Sequence, residues 1–205
     1  MRRFSFAAVL LAIPAATVVL DNPHVRVFHA AGSLAGVDAG PGVVIPLEDG
    51  PGGKAGSAVW MQSVGSQRQS TFGTGSLIIV QPRRAAVPPV VAPPAAAPPA
   101  VAPPRGSAPG ESPFTGMSFR QLFENDRVTV IRARMEVGAR EAFHTHGSDT
   151  LVVHLSGGSI EDTASGKTTV NRWKRGDVEF EARGSSHSAR NVGQAVDVVL
   201  VALKP

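Results

Sequence analysis

The chain has no cysteine and no tyrosine among its 205 residues, and only 5% of them are aromatic. Without cysteine there are no disulfides, no thiolate metal ligands and no cysteine nucleophile. With aromatics this sparse, and with a net charge of +4 spread over the chain rather than gathered in a Lys/Arg block, a stacking, basic nucleic-acid groove is not expected. No stretch repeats its apolar residues at helical spacing. What the chain has instead is 22 Gly, 17 Pro and many short Val/Ile/Thr runs, a pattern of strands and turns. Its hydrophobic content of 42% is enough for a packed core, and its length allows one large or two small domains.

Met1-Arg2-Arg3 is a short basic start, followed by an uncharged apolar run from Phe4 to Ile13 and the small residues Ala15 and Ala16. That run has signal-peptide length and is too short to cross a bilayer as a mature helix. Residues 1–16 are therefore expected to be a signal peptide. The mature protein is expected to be exported, periplasmic or secreted, with no transmembrane segment; the competing expectation is a cytoplasmic protein whose first strand begins in a hydrophobic leader.

From Thr17 the chain reads as a strand, an Asp-Asn-Pro turn and a second strand from His24 to His29, with further strands at Gly42–Leu47, Ser57–Gln62 and Ser76–Val80. Residues 83–113 differ in kind. Their repeated Pro-Pro pairs can form neither helix nor ladder, so a semi-rigid linker of up to ~80–90 Å is expected at about 3.1 Å per residue. Past it, strands are predicted at Val128–Val137, Phe143–His146, Leu151–Leu155, Thr168–Trp173, Val178–Glu181 and Val196–Leu203. In the first of these, Ile131, Ala133, Met135 and Val137 share one face, and Arg132, Arg134 and Glu136 share the other.

The two halves resemble each other. Leu20 to Phe28 lines up with Phe123 to Ile131, and each half closes on an apolar strand followed by proline, at Pro82 and at Pro205. This reads as a duplication over residues 17–82 and 114–205, with chance likeness of two β segments as the competing reading. The middle of the first copy lacks histidine. The second contains His144 and His146, whose alternate spacing on a strand turns both imidazoles to one face. Two imidazoles are half of a metal site, and His187, after the turn-rich Arg183 to Ser186, is the candidate for a third.

These residues fall into a pattern that resembles the cupin superfamily. The first cupin motif, G-x5-H-x-H-x3,4-E-x6-G, is framed by Gly138, His144, His146, Thr150 and Gly157. The second, G-x5-P-x-G-x2-H-x3-N, is framed by Gly176, Ala182, Gly184, His187 and Asn191. Thr150 stands at the usual glutamate ligand and Ala182 at the proline. The resemblance implies an all-β double-stranded β-helix in two copies, the first degenerate. It also implies a divalent ion (Fe, Mn, Ni, Cu or Zn) on His144, His146 and His187, and no particular reaction.

With Thr150 in place of glutamate, the expected site has no carboxylate. Asp149 would supply one only if the strand slipped by a residue, which would turn its neighbours inside out. Thr150 itself either bonds a metal-bound water or fills space. A working metal site and a relic whose histidines bond barrel polar groups both remain open. His154, about 13 Å further along its strand at ~3.3 Å per residue, is expected to be a satisfied core or rim histidine. His24 and His29 fall at surface-type positions. Phe143, Met135, Phe180 and Trp173 either wall a pocket or pack a core. Ser185-Ser186-His187 has no partner acid for a serine hydrolase. The resulting expectation is an exported cupin that binds a divalent metal, with an oxygenase or isomerase as the enzymatic form. The alternative is a non-enzymatic ligand-binding or structural cupin with a vestigial site. The small-molecule ligand is unknown and a homodimer is an open possibility.

Overall fold

The computed structural model of the chain describes residues 16–31, 34–65, 75–83 and 113–205. The expected signal peptide and nearly all of the Pro/Ala-rich linker lie outside these. The described residues form strands and no helix.

The first half is one antiparallel sheet of five strands, β1 (Thr17–Asp21), β2 (Val25–Ala31), β3 (Gly42–Pro46), β4 (Val59–Met61) and β5 (Ser76–Pro82), in the order β1-β2-β5-β3-β4. The second half has β6 (Phe114–Glu124), β7 (Val128–Thr145), β8 (Thr150–His154), β9 (Gly158–Ala164), β10 (Lys167–Trp173), β11 (Val178–Glu181), β12 (Ser186–Asn191) and β13 (Val196–Leu203). Their order is β10-β9-β12-β7-β13-β8-β11, with β6 also on β7. The run β6-β7-β13-β8-β11 therefore repeats the order of the whole first sheet.

The likeness reaches the turns. Asn22 Oδ1 accepts from the amides of His24 and Val25, and Asn125 Oδ1 accepts from those of Arg127 and Val128, so the same side-chain turn opens β2 and β7. The closing strands correspond with a shift. Val25 pairs with Pro82 and Val128 with Leu203, so Pro82 matches Leu203 and not Pro205. The first half has no described counterpart of β9, β10 and β12, the strands that turn the second half into a barrel.

Three further points differ from the sequence expectation. Val128–Val137 and Phe143–His146 are not two strands: β7 runs unbroken from Val128 to Thr145. It pairs with β13 up to Met135 and with β12 from Arg140 on, bending between them at Gly138, whose φ of 76° is open to a residue without Cβ. Strands β6, β9 and β12 went unread because serine, glycine and charged residues dilute their apolar alternation.

The third difference is which face is buried. Val128 and Val130 share the face of Arg132, yet both are fully buried. They join Leu151, Val153, Val199 and Val201 in a core shared with Val25, Val27, Ile45, Ile78 and Val80 of the first sheet. The opposite face of β7, with Ala133 and Met135, looks into the barrel beside Val152, Ala189 and Val198. Each fully buried valine, leucine or isoleucine contributes about 1.5–3 kcal/mol, so the shared core holds the halves together. Polar ties rim it. Arg132 Nη1 donates to Ala55 O at 3.1 Å, Arg127 Nη2 to Pro82 O at 3.1 Å, and His24 Nδ1 lies 2.9 Å from Asp149 Oδ2.

Candidate metal centre

His144 lies near the end of β7, His146 just beyond it, and His187 near the start of β12, directly across the ladder from His144. The register and the alternation of β7 turn all three imidazoles into the barrel, where one ring nitrogen from each lies within 4.8 Å of the others. His146 Nε2 and His187 Nε2 are 3.0 Å apart. That is the separation of two neighbouring ligands around one ion at metal–nitrogen distances of about 2.0–2.1 Å.

The outer nitrogens are already engaged. His187 Nδ1 donates to Asp162 Oδ1 at 2.7 Å, and because a carboxylate only accepts, the proton sits on Nδ1 and leaves Nε2 bare. His144 Nδ1 donates to Ala142 O at 3.0 Å, which frees its Nε2 in the same way. A histidine whose far nitrogen is held by a carboxylate or carbonyl is oriented as metal-ligating imidazoles are. Burial, reinforced by the two neighbouring histidines, pushes His146 down to about 4, so it is neutral near pH 7 and able to bind a cation. The donor set fits a divalent metal.

The converging group holds the three histidines and no carboxylate, but acids stand close around it. Thr150 is buried and its hydroxyl donates to Ser148 O at 3.3 Å, within its own turn. Its cross-strand partner on β11 is Glu181. The Glu181 carboxylate lies 3.5 Å from His146 Nδ1 and 3.8 Å from His187 Nε2. Glu141 Oε1 lies 3.4 Å from His144 Nε2. Burial and the nearby carboxylates of Glu179, Glu141 and Asp162 push Glu181 up to about 8. Burial likewise raises Glu179 and Glu141. Asp149 takes no part: it accepts from the Arg183 amide at 2.8 Å and faces His24, so the strand has not slipped.

These acids had faint signals in the sequence. Glu141 precedes His144 by three residues, which on a regular strand puts it on the opposite face. The ladder irregularity between β12 and β7, where His187 meets His144 but Ala189 meets Glu141, brings it round. Glu179 and Glu181 alternate with Val178 and Phe180, and that pattern reads as glutamates facing solvent. Instead Phe180 and Val178 pack on the core shared with the first sheet, and the glutamates face the cavity.

The cavity beside the histidines holds about 350 Å³ and is walled mainly by apolar side chains, among them Met135, Val152, Ile160, Val198 and Trp173. Phe143 is exposed and walls nothing. His154 lies at the end of the cavity away from Thr150, buried and stacked on Trp173 with ring centroids 4.6 Å apart. It is not satisfied as expected, since neither of its ring nitrogens has a hydrogen-bond partner. His24 is exposed, as expected, and from the surface it bridges to Asp149 and stacks on Phe180.

The second half of the chain is a curled antiparallel barrel with three histidines turned into one end, an arrangement consistent with a double-stranded β-helix. Solved cupin structures are similar to part of this chain. A cupin domain from Bordetella pertussis is 22% identical over 44% of this chain and 96% of its own, with a TM-score of 0.42. An RmlC-like cupin from Shewanella frigidimarina is 16% identical over 44% of this chain and 78% of its own, with a TM-score of 0.38. A cupin superfamily protein from Desulfitobacterium hafniense is 17% identical over 43% and 78%, with a TM-score of 0.37. No protein-family model and no curated protein matches the chain.

Proposed function

We propose that this chain is a metal-binding cupin that holds one divalent first-row ion on His144, His146 and His187 and receives a small molecule in the adjoining cavity. The observation that carries this reading is the convergence of three imidazole nitrogens within 4.8 Å. Two of the three rings are set by hydrogen bonds on their far side. Imidazole suits Fe, Ni, Cu and Zn, while Mn favours oxygen ligands. When bound, the ion would act as a Lewis acid on an oxygen of the ligand, the chemistry an oxygenase or isomerase of this fold would draw on. His144→Ala should abolish metal uptake, measured by elemental analysis of purified protein and by competition with a chromogenic chelator. Uptake by the variant equal to that of the wild type would refute the reading.

A second reading is a metal-free binding module. It is favoured by the 3.0 Å contact between His146 and His187, which one imidazole proton satisfies without an ion. The same assay separates the two, because a relic takes up no metal above the His144→Ala background. The reading of residues 1–16 as an export signal belongs to this proposal. N-terminal sequencing of protein from its host should begin near Ala16 or Thr17, and an intact Met1 on cytosolic material would refute it.

A further inference from the structure

Four carboxylates line the cavity, and among its described lining residues none is Lys or Arg. Three of the four stand beside an imidazole: Glu141 at His144, Glu181 at His146 and Asp162 at His187. The fourth, Glu179, has no hydrogen bond or ion pair among the described residues. Its ladder partner on β8 is Val152, whereas that of Glu181 is Thr150. Glu179 therefore stands two residues deeper along the strand, about 7 Å further from the histidine end. His154 is the next inward residue of β8 past Val152, which makes it the diagonal cross-strand neighbour of Glu179 on the cavity face. It is 3% exposed, and neither of its ring nitrogens has a partner. Two polar side chains thus line one cavity as neighbours with nothing bonded to either. Leaving a carboxylate and an imidazole unpaired in an apolar wall is costly unless a ligand supplies the missing donors.

We infer that the inner part of the cavity binds the cationic head of a small organic amine, with Glu179 pairing with its ammonium and His154 accepting one of its hydrogen bonds. An ammonium has three N–H donors and no acceptor, which suits a carboxylate and a neutral imidazole together. Burial keeps His154 neutral near pH 7. Burial also holds Glu179 above its ordinary carboxylate range, and a cation beside it relieves that cost. The apolar walls, Met135, Val152, Ile160 and Val198 among them, take the hydrocarbon body of the ligand. An anionic ligand meets four acidic side chains and no basic one here, and is selected against. This inference rests on the reading of the cavity as a ligand site and names the class of that ligand; it does not require the ion.

The test titrates the full chain, as purified and after chelator treatment, with three probes of one shape: benzylammonium, benzyl alcohol and benzoate. Binding is read by calorimetry at pH 7 in wild type, Glu179→Gln and His154→Phe, and circular dichroism checks that each variant is folded. In chelator-treated wild type, benzylammonium should bind at least about tenfold tighter than benzyl alcohol, as a charge-assisted bond implies, and benzoate should bind most weakly. Glu179→Gln should erase the preference for benzylammonium over benzyl alcohol in both preparations. His154→Phe, which keeps a ring against Trp173 but loses both nitrogens, should weaken benzylammonium binding several-fold. No binding of benzylammonium to wild type, benzoate bound as tightly as benzylammonium to chelator-treated protein, or an unchanged preference in Glu179→Gln would each overturn the inference. Wild-type affinity in His154→Phe would overturn the part given to that residue. Metal content of the same samples keeps the two readings apart. A wild type that takes up no more metal than His144→Ala, yet binds benzylammonium through Glu179, overturns the metal reading and supports this one.

Discussion

Asn191→Ala should be among the most damaging single changes in the barrel although Asn191 touches none of the histidines. Asn191 ends β12, is 1% exposed, and spends its side chain on backbone alone. Its Nδ2 donates to Met135 O at 3.0 Å, Glu136 O at 3.0 Å and Gln194 O at 2.8 Å, while its Oδ1 accepts from Gly193 N at 3.0 Å. Met135 and Glu136 immediately precede the bend at Gly138, where β7 leaves β13 for β12. The amide thus pins the crossing on which the pairing of His187 with His144 depends. Nδ2 has two hydrogens for three carbonyls, so alanine removes two full donated bonds and one accepted bond. At about 1 kcal/mol net for each, plus the cost of leaving buried carbonyls unpaired, the loss is roughly 3–5 kcal/mol. Asn191→Asp keeps the shape but sets a carboxylate against carbonyl oxygens, and should cost at least as much. Urea unfolding followed by fluorescence gives both values. A loss under about 1 kcal/mol for Asn191→Ala, with an unchanged m-value, would show that the crossing does not need this clamp.

Three further outcomes follow from the packing and from the charges. Burial pushes His154 down to about 4, below its ordinary value of about 6.5, so the unfolded chain binds a proton that the folded one refuses. The stability this residue contributes is whole above pH 6.5 and is lost as the pH falls toward 4. Between pH 7.5 and 5 the loss is about 2 kcal/mol, and His154→Phe should remove that part of the pH dependence in urea titrations; an unchanged slope would contradict it. Gly56 has φ of 70°, and a Cβ there would stand 2.2 Å from Leu155 Cδ1, so Gly56→Ala should cost about 2–4 kcal/mol by thermal or urea unfolding. A neutral result would mean the two halves are less closely packed than the shared core requires. Trypsin should cut first in the Pro/Ala-rich segment, at Arg84 or Arg105, and the two fragments should co-elute on gel filtration because one core is built from both sheets. Separation of the fragments would refute that.

Much of this protein is local in origin. Alternation along β7, β11 and β13 depends only on which residues are apolar, and the spacing of His144 and His146 puts both on one face whatever surrounds them. The Asn22 and Asn125 turns are likewise written in four-residue stretches. What local pattern leaves open is what each face meets. In β7, Val128 and Val130 share a face with Arg132, and that face is buried only because a second sheet lies on it. In β11, alternation separates Val178 and Phe180 from Glu179 and Glu181, but both faces are covered, one by the first sheet and one by the barrel wall. A period of two says that the faces differ and not which one is inside. The ladder irregularity that returns Glu141 to the side of His144 depends on how β12 pairs with β7, a contact between residues more than forty positions apart. Glu181 reaches the histidines only once the sheet has curled. The pair His144 and His146 is therefore set by sequence spacing, while His187 and the neighbouring acids arrive with the pairing and closure of the barrel.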